Sequence, residues 1–131
     1  MTQRLLLSTS ALAFGIIGLL FLFRPEDAAA SIGLAATAAA GRIDLRATYG
    51  GLMLGLAGLF AMPLLRPTLE VAGPFLLLFV YGGLAFGRGL AMLLGEPPAG
   101  QMVVFLVIEL LYVLGALGLV RGSRLRAKGG A

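Results

Sequence analysis

Four long apolar stretches, each closed by a cluster of arginine, proline, acid or glycine, divide the chain. Leu5 to Phe23 is 19 residues without a charge, opened by Arg4 and ended by Arg24-Pro25. Ala47 to Leu65 closes at Arg66-Pro67, and Val71 to Leu94 contains one charge, Arg88. Gln101 to Val120 contains one, Glu109. A helix rises about 1.5 Å per residue, so about 20 residues cross the roughly 30 Å hydrocarbon layer of a bilayer. The pattern therefore predicts an all-α fold, a transmembrane four-helix bundle in one domain over 1–131. Its spans are about 5–23, 47–65, 71–94 and 101–120, with a basic tail over 121–131. The first stretch is longer than the roughly 7 to 15 residues of a signal-peptide core, which favours a span over a cleaved leader.

The connections are short. Pro25 to Gly41, PEDAAASIGLAATAAAG, starts with proline and two acids, which suit the first turn of a helix, where proline lacks no needed donor and negative charge meets the dipole. The alanines then propagate, so a short Ala-rich surface helix ended by Gly41 is expected between the first two spans. Thr68-Leu69-Glu70 makes a tight turn, and Gly95-Glu96-Pro97-Pro98-Ala99-Gly100 breaks the helical pattern. Gly51, Gly55 and Gly58 share a face of the second span, and Gly83 and Gly87 repeat the spacing in the third. Small residues at such intervals let helices in lipid approach closely, so these five are read as packing positions.

Composition strengthens the membrane reading. Hydrophobic residues make up 60% of the 131 and charged residues 12%, with a mean hydropathy of +1.02; a soluble domain is about 25% charged. Cysteine and histidine are absent, which removes thiolate and imidazole catalysis and the usual zinc, copper and haem ligands. No metal and no cofactor are expected. The net charge of +4 sits at span ends, where bilayer physics accounts for it without nucleic acid as a partner. With the N-terminus inside, Arg4, Arg66, Arg121, Arg124, Arg126 and Lys128 collect on one side. Arg24, Arg42 and Arg46 on the other are diluted by Glu26, Asp27 and Asp44. Both termini are therefore expected to be cytoplasmic. The single lysine among ten basic residues, with alanine, glycine and leucine dominant, suggests a GC-rich bacterial origin, hence a multi-pass protein of the bacterial inner membrane.

Candidate chemistry lies in the charges within the spans. The third and fourth spans form a hairpin turning near Pro97-Pro98. Arg88 lies roughly ten residues before the turn and Glu109 roughly eleven after, so at about 1.5 Å per residue their heights agree within a few Å. Counting from the turn near Thr68 brings Arg46 to a similar level, with Tyr49 close by and Asp44 slightly outside. Charge at the centre of a membrane helix costs about 2.5 to 3.5 kcal/mol, and such groups face the interior and pair. An Arg88–Glu109 ion pair is predicted, with Arg46 or Tyr49 satisfying spare carboxylate oxygens. Tyr112, three positions after Glu109, shares its face, whereas Tyr81 reads as packing. Met53, Met62, Met92 and Met102 have no ligand spacing and read as apolar filling.

The run Asp44-Leu45-Arg46-Ala47-Thr48-Tyr49-Gly50-Gly51, with Gly87-Arg88, Gly95-Glu96-Pro97-Pro98 and Ile108-Glu109-Leu110, resembles the small bacterial membrane proteins grouped as domain of unknown function 4345. The likeness covers most of the chain after about Arg24. It implies a four-helix integral membrane protein and names no reaction.

Two readings of the polar layer of Asp44, Arg46, Tyr49, Arg88, Glu109 and Tyr112 stay open. It fixes helix register, or it is an outward-opening pocket whose guanidinium groups hold an anionic or polar head group. The leading function is accordingly a non-enzymatic membrane protein that binds a small amphiphile or serves as an accessory subunit. The alternative is a membrane enzyme acting on a lipophilic substrate with Glu109 as acid or base; a small oligomeric transporter is third. The partners expected are the lipid bilayer, a lipid-like ligand, and a second copy or a larger membrane complex.

Overall fold

The computed structural model describes residues 2–95, 97 and 100–129, the last seven as backbone only. No strand occurs among them. Four helical stretches are long and apolar enough to cross a membrane: Thr2–Phe23, Ala39–Leu65, Pro67–Leu93 and Gly100–Gly122. The all-α, four-span class read from the hydropathy pattern holds. The chain divides into two compact units, one made of its first six residues with everything from Arg66 onward, the other of Leu7–Leu65.

The first unit is a helical hairpin. A 3₁₀ turn, Pro67–Ala72, leads into helix α5, Gly73–Leu93, and α6 spans Gly100–Gly129. Gly95, at φ +101°, ends α5 with its N–H donating to the Met92 carbonyl at 3.3 Å, a backbone turn that residues with a Cβ rarely adopt. Glu96, Pro98 and Ala99 of the predicted turn lie outside the described residues, as do the side chains of Arg124, Arg126 and Lys128 in the basic tail. Leu77, Tyr81 and Ala85 of α5 and Glu109 and Ala116 of α6 are buried. The Tyr81 and Tyr112 rings stack at 4.2 Å. Gln3 Nε2 donates to the Glu70 carbonyl at 2.6 Å, tying the first turn of helix α1, Thr2–Phe23, to the 3₁₀ segment.

The second unit holds the rest of α1 (Thr2–Phe23), α2 (Pro25–Ser31) and one continuous helix, Ala39–Leu65. That helix comprises α3 (Ala39–Asp44), a π-helical segment Leu45–Gly51 and α4 (Leu52–Leu65). The short helix after the first span exists, with Pro25 in its first turn and Glu26 and Asp27 behind it, but it ends ten residues before Gly41. Gly33, at φ +78°, is the stop. Its N–H donates to Ala30 and that of Leu34 to Ala29, at 3.1 and 2.9 Å, the paired bonds of a Schellman cap. Gly41 is interior to a helix that starts at Ala39, so the second span takes in Arg42, Asp44 and Arg46.

A close helix crossing in this unit is made by Gly18 and Gly50. A Cβ on Gly50 would lie 3.2 Å from the Leu22 backbone nitrogen and 3.3 Å from its Cα. One on Gly18 would lie 3.0 Å from the Gly50 carbonyl oxygen and 2.8 Å from Leu54 Cγ. Nearby, Phe14 packs on Phe60 with ring centroids 5.3 Å apart. Phe21, Ala29 and Leu45 form a small core capped by Ala28, Ile32, Ala36 and Tyr49. Gly55, Gly58, Gly83 and Gly87 have no other atom within 4 Å of a built Cβ, and Gly51 has only the Arg46 carbonyl at 3.8 Å.

Candidate functional site

Arg88 sits five residues before the end of α5 at Leu93, or about 7.5 Å along the axis at helical rise. Glu109 sits nine residues into α6, about 13 Å from its start by the same rise. The two side chains make up the difference. Arg88 Nη2 donates to Glu109 Oε1 at 2.8 Å and Nε donates to Oε2 at 3.2 Å. This is the two-point guanidinium–carboxylate geometry, the strongest ordinary side-chain pairing. The acid is the more enclosed partner, its side chain 6% exposed against 23% for the arginine.

Met102, which the sequence reads as apolar filling, and Phe105 complete the setting of Arg88. Nη1 donates to Met102 Sδ at 3.0 Å, and Cζ lies 5.4 Å from the centre of the Phe105 ring, within cation–π range. Met102, Phe105, Glu109, Tyr112 and Ala116 fall at helical intervals of three and four, a single stripe of α6. That spacing was legible in the sequence and is the signal by which Met102 and Phe105 could have been found. The stripe carries an apolar base, an anion, and two groups that shape how the cation can be approached.

Beside the pair, α5 and α6 leave a cleft of about 420 Å³ lined by Gly83, Leu84, Gly87, Ala91, Met92, Met102 and Pro97, with Arg88 in its wall. The volume falls at the lower end of the range for small-molecule sites, and such sites combine apolar walls with a few oriented polar groups. The missing side chains of Gly83 and Gly87 open one wall, since both glycines are exposed and nothing lies within 4 Å of a Cβ built on either.

The other expected site residues belong to the second unit and have partners there. Arg46 Nε donates to the Leu22 carbonyl at 3.1 Å, filling an acceptor that the end of α1 leaves without an intrahelical donor. Asp44 Oδ1 accepts from Thr48 Oγ1 at 3.2 Å, and the Tyr49 ring stacks on Phe21 at 4.9 Å. Arg42 and Glu26 form an exposed pair at 3.6 Å. Arg46, Thr48 and Tyr49 all lie in the π-helical segment, a helix form that recurs at functional sites. Among the described residues no three histidine, cysteine or acidic side chains gather as a metal site.

Chemically, Glu109 has both oxygens engaged by one guanidinium and is 5% exposed. Acid–base work would have to begin by opening that pair. What the arrangement offers a ligand is the Nη1 side of Arg88 at the edge of an apolar cleft. No curated protein and no solved structure matches the chain. Residues 2–120 match the family model described as Domain of unknown function (DUF4345), and the chain, a membrane protein by its four apolar helices, belongs to that family.

Proposed function

We propose that this is a multi-pass protein of the bacterial inner membrane that binds a small amphiphile in the cleft between α5 and α6, with the head group at Arg88. The observation that carries the reading is the buried Arg88–Glu109 pair set in the wall of an otherwise apolar cleft. A pair needed only to join two helices does not require an adjacent opening, and polar groups in membrane helices tend to mark sites. The distribution of arginine favours cytoplasmic termini, which would put the cleft in the outer half of the bilayer. There an amphiphile could enter sideways from the lipid with its tail following the open Gly83–Gly87 wall.

The test is mass spectrometry of the full chain released from lipid nanodiscs. One amphiphile per chain is expected to survive purification with the wild type. Gly87→Leu, which fills the open wall without touching the ion pair, should lose it while the helical circular dichroism is unchanged. If the wild type and Gly87→Leu carry the same complement of bound molecules, this reading is wrong.

A further inference from the structure

We infer that the cleft selects an uncharged amphiphile whose head group presents a single oxygen acceptor, and that this oxygen replaces the Met102 sulfur on Arg88 Nη1. The inference rests on the amphiphile-binding reading and specifies the chemistry of the ligand.

Charge comes first. Arg88 is the one ionisable group among the described residues lining the cleft, and Glu109 neutralises it through two short bonds. An anionic head group at Nη1 would set a second negative charge between apolar walls beside a guanidinium whose own charge Glu109 already balances. A cationic head group would meet an arginine at the wall. A neutral head group incurs neither penalty.

Geometry comes second. Carboxylates and phosphates favour the fork of a guanidinium, where two parallel N–H groups meet two oxygens. The Nε and Nη2 side of Arg88 is already occupied in that manner by Glu109, and the Phe105 ring lies within cation–π range of the guanidinium. Nη1 is the donor that Met102 holds at the cleft wall, and one oxygen suffices to replace one sulfur there.

Exchange comes third. The bond that Nη1 makes is to a thioether, a weak acceptor, at 3.0 Å. Methionine has three rotatable bonds and repacks at little cost, so Met102 can withdraw when a stronger acceptor arrives. A carbonyl or hydroxyl oxygen is such an acceptor. A volume of about 420 Å³ lies within the range of small-molecule sites, enough for a compact head group and the first carbons of a chain.

The experiment uses the full chain in nanodiscs and five probes with the same twelve-carbon tail: methyl dodecanoate, dodecanol, dodecanoate, dodecylammonium and dodecane. Binding is read as one-to-one adducts by native mass spectrometry, with Gly87→Leu as the blocked control. Methyl dodecanoate or dodecanol should bind at least tenfold tighter than either charged probe and than dodecane, and which of the two leads tells carbonyl from hydroxyl. Met102→Leu removes the competing sulfur and should tighten the oxygen-bearing neutral probes by about two-fold to ten-fold, the range of one net hydrogen bond. Dodecanoate binding as tightly as the neutral probes, or Met102→Leu leaving their affinity unchanged, would overturn this inference and leave an amphiphile cleft in place. If all five probes fail to bind, or Gly87→Leu binds them as the wild type does, the proposed function itself falls.

Discussion

The contribution of the Arg88–Glu109 pair to holding α5 against α6 can be worked out and measured. Arg88→Met keeps the length of the side chain and removes the guanidinium, leaving the Glu109 carboxylate enclosed with neither of its donors. Breaking a buried pair in this way costs about 3 to 5 kcal/mol. Glu109→Gln leaves a neutral amide that can still accept one bond, and the arginine it abandons is 23% exposed against 6% for the acid, so its charge keeps more access to the surroundings. That change should cost less, about 2 kcal/mol, near the figure for a hydrogen bond to a charged group. The Arg88→Met/Glu109→Gln double variant no longer buries an unpaired charge and should be no worse than Arg88→Met alone. The resulting coupling energy is about 2 kcal/mol, to be compared with about 0.6 kcal/mol for an average interhelical polar contact in a membrane. The assay is reversible unfolding in mixed micelles at increasing mole fraction of a denaturing detergent, followed by circular dichroism. Costs that add within about 0.5 kcal/mol would mean the two residues do not act as a pair. Glu109→Gln costing more than Arg88→Met would show that burial does not rank the two ends.

Other substitutions probe the rest of the fold by the same unfolding measurement. Gly50→Ala puts a methyl against the backbone of Leu22, which cannot swing aside, and should cost about 1 to 3 kcal/mol, the usual range for overpacking. Gly55→Ala, with no atom within 4 Å of the new carbon, should lie within about 0.5 kcal/mol of wild type or gain slightly from helix propensity. Gly33→Ala forces a side chain into the φ +78° conformation and should cost about 1 to 2 kcal/mol. Arg46→Met removes the donor to the Leu22 carbonyl at an exposed position and should cost about 1 kcal/mol; a loss above 3 kcal/mol would mean that Arg46 carries more of the fold than this one bond.

What hydropathy could and could not reveal follows from the kind of information it contains. Lipid demands long apolar helices, so four spans are written plainly in the chain. A hairpin turn halfway between two charges sets their heights, so Arg88 and Glu109 could be paired from counting alone. Packing partners are not written so plainly. Gly55, Gly58, Gly83 and Gly87 have the spacing of a packing face, yet the close approach observed is at Gly18 and Gly50; spacing gives a shared face but not what the face meets. Helix ends failed for a related reason. A run of alanines can propagate a helix past any point where the backbone does not turn, and the turn came at Gly33, whose left-handed φ provides a stop that Gly41, interior to the next helix, does not.

The small size of the charged inventory makes the site easier to interpret. The sequence holds six acids and ten basic residues, and among the described residues the one two-point guanidinium–carboxylate pair lies beside the cleft. Were that pair only a fastener, an apolar pair of similar volume would fasten the hairpin at least as well, since replacing buried ion pairs by packed hydrophobic residues is often neutral or stabilising. On that precedent stability alone does not require the pair. A requirement that does call for it is a donor held in fixed orientation beside apolar walls, with its charge cancelled so that the helix still inserts. In the proposed binding role Glu109 provides the cancellation, Phe105 and the hairpin provide the orientation, and Met102 occupies Nη1 until a better acceptor arrives. Arg88→Met/Glu109→Leu separates the two accounts. If the ion pair serves binding, this variant should unfold no more readily than the wild type and should carry no amphiphile. If it serves only folding, the variant should be less stable and its complement of bound molecules unaltered.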